Sequence, residues 1–380
     1  MLAAKLGPEN PETLLALLKQ RIMTDGPLTI ADYMEACLSD PEFGYYMTRD
    51  PFGRAGDFTT APEISQIFGE LLGLWSVVIW EQMGSPGRVC LIELGPGRGT
   101  LMADALRAAK TIPGFLDACE LHLVETSPVL RSMQGEQLVS TGTSPHWHDE
   151  LGEVPAGPTI LIANEFLDAL PVHQFVITEG QWFERRVGLS TAGTLEFQNC
   201  MVGQKLESLI SKQQREEARD GDVVECRPAG GEIVNLLAAR AQQEPMAALF
   251  IDYGHDTSAP GDTLQAVHTH EYTNPLEIPG GADLTAHVDF GSLRETAQQH
   301  GLSVHGPTSQ SEFLLALGLK ERCERLMANA DKAGRKKVAS GAQRLVDPVQ
   351  MGELFRVMAL TCANLIPPPF PDLGSRSETR

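Results

Sequence analysis

The chain has 380 residues, and 30 basic against 50 acidic side chains leave a formal charge of −20. Such a surface repels a phosphate backbone, so DNA and RNA are disfavoured as substrates and a cationic protein fits better. No apolar run is long enough to span a bilayer, since the best stretch, Ile67 to Trp80, contains Glu70, and an integral membrane protein is not expected.

The length allows two or three domains, or one α/β domain with large additions. Residues 10–40 predict two helices: Asn10-Pro11 starts the first, with an apolar face of Leu14, Leu15, Leu17, Leu18 and Ile22, and Thr29 caps the second, through Tyr33, Met34 and Leu38. Residues 53–63 are rich in glycine, threonine and proline and predict irregular structure, and helix resumes from Ile64 to Met83. Val89 to Leu94 is almost wholly apolar, as suits a parallel strand buried on both faces. Gly95, Gly97 and Gly99 follow, and then a helical pattern through Leu101, Ala105, Leu106 and Ala109. Strand, glycine turn and helix open a βαβ unit, whose ligands bind beyond the carboxyl ends of the strands.

A second strand, Glu120 to Glu125, ends in an acid 28 residues after Gly97. Ser127-Pro128 then starts a helix, with Ser127 as N-cap. Pro145 to Asp149 is a short third strand, Thr159 to Ala163 a fourth, followed by N-E-F-L-D-A-L-P, and Ala247 to Asp252 a fifth, followed by Tyr253-Gly254. About eighty residues separate the last two, far beyond an ordinary connection. They include a predicted β-hairpin, Val172 to Thr178 and Gln181 to Val187 around Glu179-Gly180, and helical stretches near 203–219 and 230–243. Leu264 to His268 reads as strand, Leu293 to His300 as helix and Leu302 to Gly306 as strand. The region after Ser311 reads as helical, with Phe313, Leu314, Leu317, Leu319, Leu326, Leu354, Phe355 and Met358 as core positions, and the tail from Ile366 reads as loosely ordered.

The glycine turn lets the backbone approach a ligand closely, and unpaired N–H groups at the next helix favour an anionic group. A dinucleotide fingerprint read from Gly95 would need glycine at position 100, where Thr100 stands, which weakens a nicotinamide-dependent oxidoreductase reading. Glu93-x-Gly95-x-Gly97-x-Gly99 instead resembles motif I of the class I S-adenosylmethionine-dependent methyltransferases. The acid closing the second strand, Glu125, suits the two ribose hydroxyls of an adenosine ligand, because a carboxylate accepts from both.

Four stretches together, G-D-F-T-T-A-P-E-I-S-Q-I-F-G-E, E-L-G-P-G-R-G-T-L, N-E-F-L-D-A-L-P-V and D-Y-G, resemble the MidA-type methyltransferases. This family includes the mitochondrial complex I assembly factor that methylates arginine. The resemblance covers roughly residues 10–360. It implies an α/β fold: a class I, Rossmann-like core with a mostly parallel seven-stranded sheet and helices on both faces. The expected organisation is an N-terminal helical region over 1–87, a core over 88–310 with a subdomain inserted at about 172–245, C-terminal helices over 311–365 and a flexible tail over 366–380. The implied cofactor is S-adenosylmethionine, and the implied acceptor is arginine on a partner protein, such as a respiratory complex subunit.

Gly95, Pro96, Gly97 and Gly99 would border the methionine part of the cofactor, and Glu93 would orient the loop or meet the ammonium. Glu125 and Ser127 fall at the ribose. Trp147, His148 and Asp149 fall where the family fold meets the adenine, and Asn164 falls beside the sulfonium. Gly56, Asp57, Phe58 and Thr59 could close over the cofactor carboxylate, with Asp57 on the ammonium; a structural loop explains them as well. The carboxylates beyond the strand ends, Glu165, Asp168 and Asp252, are the candidates to bind a guanidinium that stays charged at any physiological pH. Asp168 as a helix cap and Asp252 as a turn cap are the plain alternatives. His287 could help bind or deprotonate the acceptor, or be a packed histidine. His173 belongs to the hairpin, and Arg98 pairs with an acid.

The seven cysteines are scattered without a C-x-x-C pair, which suggests neither zinc knuckle nor disulfide frame, and no metal is assigned. Together with a first segment that lacks both a signal-peptide core and a transit pattern, they give the expectation of a reducing, bacterial-type cytoplasm. Small-molecule methylation and a non-catalytic assembly chaperone with a retained cofactor pocket remain as alternatives, as do monomer and homodimer.

Overall fold

The computed structural model describes residues 13–48, 60–202 and 209–371. The chain divides into two compact units. One comprises Met1–Pro51, Ala169–Pro228 and Ala259–Ala286; the other comprises Phe52–Asp168, Ala229–Ser258 and His287–Arg380.

The second unit is built on a mostly parallel sheet. Its strands are β1 (Val89–Leu94), β2 (Cys119–Val124), β3 (His146–His148), β4 (Thr159–Asn164), β5 (Met246–His255), β6 (Ser303–Ser309) and β7 (Phe355–Thr361). The spatial order is β6-β7-β5-β4-β1-β2-β3, and a short segment, Val288–Asp289, adds to the end of β5. All neighbours from β5 to β3 are parallel, whereas β7 runs antiparallel between β5 and β6. Every residue of β1 and β4 is buried, as expected of continuous apolar runs covered on both faces. The chain reverses from β1 outward to β2 on one side and to β4 on the other, so a crevice opens beyond their carboxyl ends.

On one face, Val89, Leu91, Leu121, Leu123, Ile160 and Ile162 pack with α1 (Gln66–Gln82) and α2 (Thr100–Ala109). Ser65 caps α1 by accepting from the Ile67 N–H at 3.3 Å. Glu70, buried inside this helix, is held by Arg322 at 2.7 Å and Arg107 at 3.1 Å.

Two expectations about the C-terminal region need correction. Helices do follow Ser311, at Gln310–Ala316, Leu319–Ala328 and Lys332–Val346, but Phe355 and Met358 lie on strand β7. The run F-R-V-M-A-L-T has consecutive apolar residues rather than a three-to-four spacing, and it is buried from Val357 onward against strands on both sides. The chain from Ile366 is also fastened: the Trp75 indole donates to the Pro368 carbonyl at 2.8 Å, and Phe370 joins the core. Residues 372–380 lie outside the described residues.

The first unit contains helices Leu14–Asp25 and Ile30–Ser39, the second capped reciprocally by Thr29 and Asp32. The predicted hairpin is present, His173–Thr178 against Gln181–Leu189, with Thr178 opposite Gln181. Its two turn residues, Glu179 and Gly180, both have positive φ, the geometry that matches strand twist in a two-residue loop. This ribbon sits in a five-stranded sheet with Leu28–Thr29, Leu195–Met201 and Val223–Cys226. A three-stranded sheet centred on Gln265–His268 completes the unit. The helix Pro228–Ala241 clusters from residue 229 onward with the second unit.

Candidate active site

Gly95, Gly97 and Gly99 all have positive φ, at 61°, 53° and 80°. A Cβ on Gly95 would meet the Phe166 ring at 2.6 Å, so this turn requires glycine for both its backbone and its neighbour. The turn is closed by Gly95 N–H donating to the Val124 carbonyl and Gly99 N–H donating to that of Pro96. α2 begins immediately after it.

Beside the turn lies a cleft lined by Thr60, Pro62, Glu63, Glu93, Gly95, Pro96, Gly97, Arg98, Thr100, Leu101, Asn164 and Glu165. Glu93 ends β1 and is 3% exposed. Its Oε2 is buried with no hydrogen-bond partner among the described residues. Burial first, and the neighbouring Glu125 second, push its carboxyl up to about 8. Asn164 Oδ1 is likewise buried without a partner. Two orphaned acceptors beside a glycine turn describe a cleft made for a ligand with donors, since unsatisfied buried polar atoms are costly.

Glu165 follows β4 with φ of 50°, unusual for a residue with a side chain. Its Oε1 accepts from the Ala61 N–H and the Asn164 amide, each at 3.1 Å. Burial raises its carboxyl to about 7, with Asp168 adding to the shift and those two hydrogen bonds opposing it. Glu125, at the end of β2, accepts from the Ser127 N–H at 2.9 Å and from Gln134 at 3.2 Å. Gln134 also donates to the Gly97 carbonyl at 2.7 Å and accepts from the Trp147 indole at 2.8 Å. One buried amide therefore ties the glycine turn, the β2 acid and β3 together.

A family model for S-adenosyl-L-methionine-dependent methyltransferases matches residues 71–308. The "Protein arginine methyltransferase NDUFAF7 homolog, mitochondrial" of Drosophila melanogaster is 38% identical over 376 residues, covering 92% of this chain and 84% of that protein. The human "Protein arginine methyltransferase NDUFAF7, mitochondrial" is 38% identical over 378 residues, covering 93% and 84%. A solved protein from Burkholderia thailandensis bound to S-adenosyl-homocysteine is similar with a TM-score of 0.78 and 29% identity, covering 92% of this chain and 91% of that one. The chain belongs to this methyltransferase family. It is an S-adenosylmethionine-dependent methyltransferase with the mostly parallel α/β fold that its sequence predicts. The cleft's chemistry fits that cofactor: an unpartnered carboxylate oxygen suits an ammonium, and the acid closing β2 suits a ribose.

In the methyltransferase, Glu93, Gly95, Pro96, Gly97, Asn164 and Glu165 share the cleft. Ser127 N-caps Pro128–Leu138, its hydroxyl accepting from the Leu130 N–H. Asp252 Oδ2 accepts from the backbone N–H groups of Phe166, Leu167 and Asp168 at 2.9–3.2 Å, and its Oδ1 from that of Tyr253. Its carboxylate is thus the cap of the turn that carries Glu165. Asp168 is buried and accepts from the Tyr253 hydroxyl, and His287 sits edge-on to the Tyr253 ring. The His148 ring is engaged by His122 at 3.0 Å, and Asp149 pairs at the surface with Arg131 at 2.6 Å. Gly56, Asp57, Phe58 and Thr59 lie outside the described residues.

Sequence reasoning assigned no role to Gln134, Glu63 or Thr100. Glu63 accepts from the Thr100 hydroxyl at 2.5 Å and pairs with Arg98 at 3.5 Å, so it links the N-terminal motif to the first turn of α2. Its place within A-P-E, directly after the T-T of the resembling stretch, was a usable signal. Gln134 lies mid-helix with no local pattern to mark it. Among the described residues no helix is long and apolar enough to cross a membrane.

Proposed function

We propose that this methyltransferase acts on arginine in a partner protein, with Glu165 receiving the guanidinium. The observation that carries the reading is Glu165 itself: a buried carboxylate poised near neutrality, in the cleft beside the glycine turn, with one oxygen already anchored. The named relatives, which are protein arginine methyltransferases, point the same way.

We assign Glu93 to the ammonium of the cofactor, Glu125 to its ribose hydroxyls, the Gly95–Gly99 turn to its methionine part, and Asn164 to the sulfonium side. Bound there, S-adenosylmethionine supplies an electrophilic methyl group on a sulfonium. Glu125 keeps lone pairs for the ribose beyond the two that accept from Ser127 and Gln134. Ionised Glu165 holds the charged guanidinium and aligns one nitrogen for in-line attack; alignment and exclusion of water supply most of the rate. As the methyl group exchanged its bond to sulfur for one to nitrogen, Glu165 would accept the proton that the nitrogen gives up. Asp252 acts through the backbone it caps, as a positioning residue, while Asp168 and His287 flank Tyr253 and complete the acceptor side.

The partner is inferred to be a protein, with a respiratory complex I subunit as the first candidate. Seven free cysteines support a reducing compartment, for which a bacterial cytoplasm is our assignment; the relatives are mitochondrial by name. Incubation with isotopically labelled methyl donor and cell lysate, followed by peptide mass spectrometry, tests the reading. Label on arginine supports it. Label confined to small molecules, or on lysine alone, overturns it.

A further inference from the structure

At the opposite end of the strands from the glycine turn, the pairing register assembles a second polar cluster. Cys90 on β1 faces Glu120 on β2, and His122 follows two residues later on the same side of that strand. His122 in turn faces His146 on β3, with the rings stacked at 5.3 Å. Cys90 Sγ, a Glu120 carboxylate oxygen and a His122 ring nitrogen all lie within 4.8 Å of one another. Cys90 is five residues before Gly95, about 16 Å along the strand, so the thiol is remote from the glycine turn.

His122 is 2% exposed, and its Nε2 has no hydrogen-bond partner among the described residues; Glu120 Oε2 lies 3.8 Å from it. Its other nitrogen, Nδ1, is 3.0 Å from His148 Nε2. A histidine oriented from behind by a second hydrogen-bonding group, with its free nitrogen aimed at a thiol and a carboxylate, is the arrangement of a metal ligand. Thiolate, imidazole and carboxylate together select a borderline-soft divalent ion.

We propose that Cys90, Glu120 and His122 bind one zinc-type divalent ion that ties β1 to β2, with His148 orienting His122. Ligand atoms around tetrahedral zinc are about 3.3–3.6 Å apart, so binding draws the cluster together by about 1 Å. Arg88 contacts both Glu120 oxygens, at 2.7 and 2.8 Å, and a carboxylate has lone pairs enough to keep that partner and accept a metal. The Cys90 S–H donates weakly to the Pro155 carbonyl at 3.7 Å, a contact that the thiolate gives up to the ion, while the Arg240 guanidinium is occupied by the carbonyls of Val154 and Pro155 and the Thr159 hydroxyl. On binding, the Cys90 S–H bond breaks, a sulfur–metal bond forms and the proton leaves to solvent.

The test uses the full chain, stripped with a chelator and titrated with Co²⁺ under anaerobic conditions. One equivalent is expected to bind with a thiolate-to-cobalt charge-transfer band and with heat that varies with buffer ionisation, reporting the displaced proton. Cys90→Ala should abolish the band, His122→Gln should weaken binding at least tenfold, His148→Ala should weaken it about tenfold, and Cys200→Ala should retain wild-type binding. A cooperatively melting wild-type chain that binds no stoichiometric Co²⁺ overturns the proposal, whatever the variants do. So does a charge-transfer band that survives Cys90→Ala.

Discussion

Replacing Glu93 by Gln should make the ligand-free protein more stable and its cofactor binding weaker. The folded carboxyl sits at about 8 against an ordinary value of 4.5. A carboxyl raised on folding holds its proton in the folded state after the unfolded chain has released it, so stability falls as pH rises from about 4.5 to about 8 and is flat beyond. At pH 7 this cost is about 3 kcal/mol, most of which Glu93→Gln removes. The neutral amide should melt higher at pH 7 and converge on wild type near pH 4.

The same protonation opposes ligand binding, because an ammonium needs the ionised form. At pH 7 about one Glu93 in eleven is ionised, so affinity should rise nearly tenfold per pH unit between pH 6 and pH 7.5. Calorimetry with S-adenosylhomocysteine reads this directly, both as a pH-dependent affinity and as nearly one proton released to buffer at pH 7. Glu93→Gln should lose both signatures. A wild-type affinity that is flat across that range, or a variant that keeps the wild-type slope, would refute the assignment of Glu93 to the ammonium.

Glu165→Gln should lower single-turnover methyl transfer by about 10²-fold or more, with S-adenosylhomocysteine affinity within about threefold of wild type. Wild-type transfer should rise between pH 6 and pH 8 as Glu165, poised at about 7, ionises; a flat profile in chemistry-limited conditions would remove it from the proton path. Gly95→Ala forces a Cβ against Phe166 in a left-handed turn and should cost about 1–3 kcal/mol in denaturant melts, together with cofactor affinity. Glu70→Ala strips Arg107 and Arg322 of their shared buried partner and should cost about 2 kcal/mol. Arg322 and Arg107 hold Glu70 below its ordinary value against the cost of burial, so the contribution is present above about 4.5 and is lost as pH falls through the lower folded value.

The centre of the sheet, β1, β4 and β5, was legible because these strands are continuous apolar runs with acids or glycines near their ends, and such runs report burial directly. The placement of Glu93, Glu125, Asn164 and Glu165 at or just beyond strand ends was legible for the same reason, since a charged or amide side chain at the end of a buried strand has few places to go. β7 was not, because its apolar residues follow three helices and continue a region that reads as helical, although Asp347-Pro348 and Gly352 ahead of them are turn signals. Asp252 read equally well as an acceptor-binding acid or a turn cap, and only the three backbone N–H groups pointing at its Oδ2 show which work it does locally. Gln134 was invisible, since its importance lies in three partners distant in sequence.

The two ends of β1 and β2 illustrate the limit most sharply. Beyond the carboxyl end, the acid, the turn and the helix start are neighbours along the chain, so their chemistry can be read from spacing. At the amino end, Cys90, Glu120 and His122 come together because β1 pairs with β2 in one register, Cys90 opposite Glu120. A shift of one residue would turn Glu120 and His122 to the opposite face, against the α1 and α2 core, and scatter the cluster. Cysteines and histidines that look dispersed in sequence are therefore no argument against a metal site in a parallel sheet, where each strand contributes one or two ligands. The same register sets Glu93 near the end of β1 beside the end of β2, where Glu125 follows, so an ion that fixed β1 against β2 would also hold the two acids proposed to meet the cofactor.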